Sequence, residues 1–321
     1  MKGPREVYGR SFRDIQHAGN FFNPVDIQVE FESASGSGYV ATAQLWQLGE
    51  LRADGPPSLE KSRLNGLGSD STSPRGLLPD IPEAEPLRIE AKELLKNSLH
   101  AGPFREPVQQ QYRVPSQNVV ELSVETGQIA QLLYSDSELR TNVGEWTAEN
   151  LDGWRVDIQQ NLDLFQLVTR RGGREGNLAD SGQGMQQVLS VVALCCLREL
   201  GRGGTPFLDI IEQPELHLHD AAHAALGDLL LSAVAEGAGN LIVETHSESL
   251  VLRVRRRVAE GLSPDRVAIV YVEDNGDGSR LRRIALRSDG ETDWWPTGVF
   301  SESFVEVKAI RRAQRARAEV L

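Results

Sequence analysis

The sequence predicts an α/β protein with an antiparallel β-rich N-terminal lobe and a helical insertion, and three observations carry that expectation. Val25–Phe31 alternates apolar and polar residues, the pattern of a half-buried strand. Phe207–Ile211 and Leu241–Val243 are short apolar runs that end abruptly in polar residues, as strands of a parallel sheet do. Met185–Leu200 and Asp220–Ala233 carry apolar residues at helical spacing.

The chain has 321 residues with 40% hydrophobic content, enough for one large domain or two ordinary ones. No apolar run approaches the roughly 20 residues that span a bilayer. Met1–Gly9 is polar and carries no secretory signal. Cys195 and Cys196 are neighbours in an apolar helical stretch, which favours reduced core thiols and a cytoplasmic setting. The net charge is -12 and is unevenly spread. From Arg253 to the end there are 14 Lys+Arg against 11 Asp+Glu, a balance of +3 that leaves -15 on the rest. An acidic body argues against a broad nucleic-acid surface, leaving DNA contact unsupported beyond a local basic patch.

In chain order, the Val25–Phe31 strand is followed by a Ser35–Gly38 turn and a second strand over Tyr39–Leu48. Gly49–Pro86 is rich in Gly, Pro and Ser and reads as a loop insertion. Ile89–Leu99 reads as a helix, Pro103–Pro115 as a connector, and Val119–Val124 and Asp163–Thr169 as strands. Gly172 and Gly173 turn the chain. Asp220 is the expected cap of the helix it opens. Arg253, Arg255, Arg256 and Arg257 lie on a helix that is either a solvated face or a phosphate contact. Val267–Val272 and Leu281–Leu286 are strands around a turn at Asp274–Ser279. Trp294, Trp295 and Pro296 are expected to pack onto the body ahead of a basic last helix, Phe304–Glu319. The expected divisions are 1–48 (β-rich lobe), 49–86 (insertion), 87–175 (inserted helical/β lobe), 176–290 (C-terminal lobe) and 291–321 (small C-terminal domain).

The chemistry-bearing residues sit at the ends of the two apolar runs. Glu212, Gln213 and Glu215 follow the first; Glu244, Thr245, His246 and Ser247 follow the second. In open parallel sheets, ligands sit just beyond the carboxyl ends of the strands, so adjacent strands would deliver Glu212 and His246 to one edge. A carboxylate there can hold Mg2+, which prefers oxygen ligands and keeps several waters. The bland alternative is two core strands with ordinary polar exits. Ser181, Gly182, Gln183 and Gly184 precede the Met185–Leu200 helix, where small residues let backbone N–H groups approach an anion.

Taken in order, DSGQGMQQVL (Asp180–Leu189), IIEQPELHLH (Ile210–His219) and ETHSES (Glu244–Ser249) resemble the signature, Walker B and switch-histidine segments of ABC-type ATPase heads of the SMC-like and overcoming-lysogenization-defect-like kind. Ser11–Gly19 and the tail Trp294–Gln314 resemble segments of bacterial AAA-family ATPases with a small extra C-terminal domain. The resemblance implies ATP and Mg2+ as cofactors, with Glu212 at the metal and Gln213, Glu215 and His246 as the catalytic set. It implies that Ser181–Gly184 contacts ATP held by an opposite subunit, in a homodimer or an assembly with an effector protein, with prokaryotic phage defence as a setting. His217, His219 and His223 beside Glu212 and Glu215 raise a zinc reading, but the resembled family uses this histidine run as a structural loop.

Two departures matter. No Gly-rich loop ending in Lys-Ser/Thr occurs in these 321 residues; Ser33–Tyr39 is the nearest glycine cluster and lacks the lysine. The expectation is therefore an incomplete P-loop NTPase sheet: a split or truncated ATPase, a misplaced start, or a partner that provides the loop. Gln213 stands where many ABC heads place a general base, and an amide orients water without taking its proton. A non-catalytic dimerisation or regulatory module is the alternative, and a metal-dependent nuclease a more distant one.

Overall fold

The computed structural model describes residues 25–32, 38–46, 58–64, 67–69, 82, 85–116, 124–235, 237, 239–274 and 279–318. The chain divides into two compact units, Met1–Glu93 and Leu94–Leu321, a coarser division than the sequence suggested. The expected turn at Ser35–Gly38 and strand at Val119–Val124 fall largely outside the described residues.

In the first unit β1 (Val25–Glu32), β2 (Gly38–Trp46), β3 (Ser58–Leu64) and β4 (Leu67–Ser69) form an antiparallel sheet in that order. β1 pairs with β2 from Val25 opposite Leu45 to Glu32 opposite Gly38. β3 and β4 lie inside the Gly49–Pro86 stretch that reads as loop. β3 has only Leu59 and Leu64 as apolar residues, so it shows no alternation, and its pairing to β2 shifts register between Gln44 and Leu45. α1 (Glu85–Asn97) crosses the division.

The second unit is built around α4, whose label follows from β5 (His100–Ala101), β6 (Tyr112–Arg113), α2 (Thr126–Ser135), α3 (Ser137–Asn150), β7 (Arg155–Asn161), β8 (Leu164–Arg171) and β9 (Arg174–Asn177). α4 spans Gln183–Glu199, and every residue from Val188 to Arg198 is buried. The apolar spacing predicts one buried face; the helix is buried all round because α2, α3 and the helix over Asp220–Ser232 all pack against it. It stops at Gly201, whose φ of +65° lets the Gly201 and Arg202 amides donate back to the Arg198 and Leu197 carbonyls. Cys195 and Cys196 are free thiols in this helix, and burial pushes the Cys196 pKa up to about 12.

β10 (Phe207–Glu212) pairs in parallel with β5 on one side and with β11 (Gly239–Glu244) on the other. Phe207, Asp209 and Ile211 are buried, and Asp209 and Phe207 meet Arg198 of α4. The other face is less covered: Leu208, Ile210 and Glu212 are half-buried, and Asn240, Ile242 and Glu244 on β11 are exposed. Asp209 is tolerated in the strand because Arg198 Nε and Nη2 and the Leu99 amide all donate to its carboxylate, each at 2.8 Å.

A second, antiparallel sheet runs β6-β8-β7, with β9 paired to β8. Gly172 and Gly173, at φ +52° and +79°, make the β8–β9 turn. α2 and α3 form the helical insertion, and Asp136 caps α3 by accepting from the Leu139 amide at 3.0 Å. Beyond the parallel sheet come α5 (Asp220–Ser232), α6 (Glu248–Ala259), the ribbon of β12 (Ile269–Asp274) and β13 (Ser279–Ile284), and α7 (Glu302–Ala318). The cap of α5 is His219, whose Nδ1 accepts from the Ala221 amide, and Asp220 is its first helical residue. Trp294 lies on the Arg282 guanidinium and edge-on to Tyr271, and Trp295 faces Phe300 and Arg255. Among the described residues no helix is long and apolar enough to cross a membrane.

Candidate functional site

The parallel register places Ile211 beside Val243 and Glu212 beside Glu244, so both strands reach the same edge together. The ladder continues one residue further, where the Gln213 amide donates to the Glu244 carbonyl at 2.8 Å. Gln213 adopts φ +44° and His217 φ +65°. Two non-glycine residues in the left-handed region within five positions carry a cost of order 1–3 kcal/mol each, which persists only where the surroundings enforce it. Pro214 and Glu215 are buried inside this turn, and the Leu216 and Leu218 amides donate to the Gln213 and Glu215 carbonyls.

Glu215 ties the turn to the segment after β11. Its Oε1 accepts from the Thr245 hydroxyl at 2.8 Å and from the His246 amide at 2.7 Å. Thr245 Oγ1 in turn accepts from the Ser247 amide, and Ser247 Oγ accepts from the Leu250 amide to cap α6. His223 Nε2 lies 3.3 Å from the Leu218 carbonyl, which can only accept, so in the neutral ring Nδ1 accepts a hydrogen bond from the Ser247 hydroxyl at 2.9 Å. His217 and His219 are exposed, His219 capping α5 and His223 bonded as just described. Among the described residues no group of three His, Cys, Asp or Glu side chains is arranged to hold a metal ion.

The N-terminus of α4 meets the same turn. A Cβ on Gly184 would fall well inside van der Waals contact with the His217 carbonyl oxygen, so the absence of a side chain there is required by packing within the chain. Gly182, the N-cap of α4, has open space around it, and Gln183 is exposed. The Ser181 hydroxyl donates to the Leu178 carbonyl at 2.6 Å.

Sequence reasoning missed Arg105 and, on β5, His100, which bonds Glu212. Arg105, in the stretch read as a connector, is 8% exposed and reaches the end of β10. Its Nη2 donates to the Glu212 carbonyl at 2.8 Å and to the Gln213 carbonyl at 3.3 Å. Its Nη1 donates to the Gln187 carbonyl of α4 at 3.4 Å, and its backbone exchanges two bonds with the Gln187 side chain. Burial lowers its pKa to about 10 against the opposing pull of Glu215 and Glu212, so it stays charged at neutral pH. Arg105 Nε and Glu215 Oε2 are buried and have no hydrogen-bond partner. A loop arginine belongs to no periodic pattern; the Gly102-Pro103 break after β5, at the sheet's edge, is the signal that could have drawn attention to it.

The structure thus brings Glu212, Gln213, Glu215, Gly184 and the Thr245–Ser247 backbone to one end of the parallel sheet. The His246 side chain is exposed there. Glu212 is not a free carboxylate: His100 Nε2 donates to its Oε1 at 2.6 Å, with the side chains 22% and 30% exposed. One partly exposed carboxylate fits Mg2+ held with water and substrate phosphates, and does not fit a metal caged by protein alone.

No protein-family model matches the chain, and no curated protein matches it. Solved structures do. An SmcHead bound to the C-winged helix domain of ScpA is 11% identical, with 82% of this chain and 75% of that one covered at a TM-score of 0.48. The SMC head domain from Thermotoga maritima is 13% identical, covering 81% and 74% at a TM-score of 0.40. A chain from work on ATP-driven dimerization and DNA-stimulated activation of SMC ATPases is 11% identical, covering 56% and 97% at 0.38. At these values the similarity assigns no activity and no residue role.

Proposed function

We propose that the chain contributes the acid-and-switch part of an ATP site in an SMC-like, ABC-type head assembly, whose closing on nucleotide drives an effector partner. One observation carries the reading: the turn after β10 holds two non-glycine residues at positive φ and is tied by Glu215 to the segment bearing His246. Strain and buried, unfilled hydrogen-bonding capacity at the carboxyl edge of a parallel sheet mark working sites. The 321 residues contain no Gly-rich loop ending in Lys-Ser/Thr, so in this reading the phosphate cradle comes from outside them, whether from a further segment of the same protein or from a partner.

In this reading Glu212 binds the metal, directly or through water. Mg2+ bound there offsets phosphate charge. The Gln213 amide orients the attacking water without accepting its proton, which makes hydrolysis slow. His246 donates to the terminal phosphate from the switch segment, and Glu215 holds that segment in register. Ser181, Gly182, Gln183 and Gly184 face the nucleotide of the opposite head. Catalysis of this kind is mostly positioning and charge stabilisation. Prokaryotic phage defence is the setting that the motif resemblance implies.

A non-catalytic dimerisation or regulatory module is the second reading, favoured by Gln213 in place of a general base and by the His100 bond already on Glu212. Mg2+-dependent ATP hydrolysis by the chain co-expressed with the polypeptide encoded immediately upstream separates the two. Hydrolysis that is lost in E212Q supports the ATPase reading, and no hydrolysis supports the second. Calorimetry on these 321 residues alone is expected to show ATP affinity in the millimolar range or none; micromolar affinity refutes the reading that the cradle lies outside them.

A further inference from the structure

Arg105 is a buried cation at the site that the proposed chemistry leaves unused. It comes from the loop after β5 and reaches two elements at once. One nitrogen of its fork bonds the carbonyls of Glu212 and Gln213, and the other bonds the carbonyl of Gln187 in the second turn of α4. The Gln187 side chain closes the arrangement by accepting from the Arg105 amide at 3.1 Å and donating to the Arg105 carbonyl at 2.8 Å. The peptide thus gripped is the strained one: Gln213 at φ +44°. Glu212 and Gln213 are the last points at which β10 can still be steered before the chain reverses through Glu215.

We propose that Arg105 is a positioning residue, which holds the Gln213 peptide in its left-handed conformation and links that conformation to the N-terminal turns of α4. The reason is geometric. A residue without a glycine's freedom leaves the left-handed region unless its carbonyl is fixed from outside. The Gln213 amide is fixed by the Glu244 carbonyl at 2.8 Å, and its carbonyl is fixed by the Leu216 amide at 3.1 Å and by Arg105. Arginine suits the task where lysine does not. The planar fork sends two nitrogens to two elements in fixed directions, whereas an ammonium is a single point. The charge is retained in the buried setting because Glu215 and Glu212 lie close enough to oppose desolvation. Arg105 thereby couples the N-terminal turns of α4 to the peptide that sets the Gln213 side chain. The inference deepens the proposed function for its activity arm, and its structural arm stands apart from it.

The test compares R105K and R105Q with the unaltered chain, R105K covering the case in which R105Q fails to fold. Amide hydrogen exchange is read at Gln213 and Leu216, whose bonds close the turn, and at Val191–Leu197 in α4. Loss of one such hydrogen bond's worth of protection corresponds to roughly tenfold faster exchange. Both variants are expected to show that acceleration at Gln213 and Leu216, with α4 within about twofold. Unchanged protection at Gln213 and Leu216 in R105K overturns the proposal. In the co-expressed assembly, R105K is expected to lower kcat about tenfold with KM for ATP within about twofold, the pattern of a lost positioning contact rather than lost binding. An unchanged kcat, or a change confined to KM, overturns it as well. If the unaltered assembly does not hydrolyse ATP, the functional reading fails by itself and the exchange data alone decide for or against Arg105.

Discussion

β10 meets a buried arginine at two places, and the two differ in how completely their hydrogen bonds are filled. At Asp209, both carboxylate oxygens accept from Arg198 and one also accepts from the Leu99 amide, and the Arg198 guanidinium also reaches the Asn97 and Gly204 carbonyls and lies 3.8 Å from the centre of the Phe207 ring. The side chains are 1% and 0% exposed. At the carboxyl end, Arg105 and Glu215 are also buried, at 8% exposure each, but each keeps a buried polar atom without a partner, and the backbone between them is strained. Saturation is what a scaffold needs, since a half-satisfied buried charge costs stability. The incomplete end is tolerated because the complete one, with α4, holds the strand in place.

The largest expected effect falls on the saturated end. R198M leaves Asp209 charged and unpaired, and should cost about 3–5 kcal/mol in urea unfolding. A cost no larger than that of a surface substitution breaks the comparison. Next comes G184A, which sets a methyl against the His217 carbonyl and should cost about 1–3 kcal/mol, whereas G182A, with open space around it, should cost less than about 1 kcal/mol. Equal costs would mean that α4 and the turn are not packed as described. E215A, which frees the Thr245 hydroxyl and the His246 amide, should cost about 1–3 kcal/mol and speed exchange at His246 selectively.

The smallest effect lies outside both ends. Asp228 on α5 is bonded by Arg257 and Arg253 of α6, and these bonds, Arg257's first, hold its pKa below the usual carboxylate value. A depressed folded value means that its contribution is present above the unfolded value of about 3.9 and is lost as pH falls below that through the folded value. D228N should therefore cost under about 1 kcal/mol at pH 7, and the deficit should shrink as the pH is lowered through and below about 4. A deficit that grows on acidification contradicts the pairing.

The strands that deliver the site were legible because Phe207–Ile211 and Leu241–Val243 are apolar and end in acids, and α4 was legible from its spacing. The same reading expected Glu212 and His246 at one edge; the register sets Glu212 beside Glu244, two residues before His246. Other features left no such trace. β3 is polar along most of its length and owes its place to pairing with β2. Asp209 stands inside an apolar run with nothing local to explain it, because its partner Arg198 is eleven residues away on another element. His219 caps α5 with a ring nitrogen, a chemistry that cap preferences place low. Arg105 sits 107 residues from the carbonyl it grips, so nothing local announces it.

The central claim, that the saturated end is scaffold and the unfilled end is the working site, is tested most directly by amide exchange of the co-expressed assembly with and without Mg2+-ATP. The account predicts slower exchange on adding nucleotide across Gln213–His219 and Glu244–Ser249, with Leu99, Asp209 and the Val191–Leu197 core unchanged. Nucleotide-dependent protection spread evenly over both ends, or confined to the Asp209 end, would contradict it.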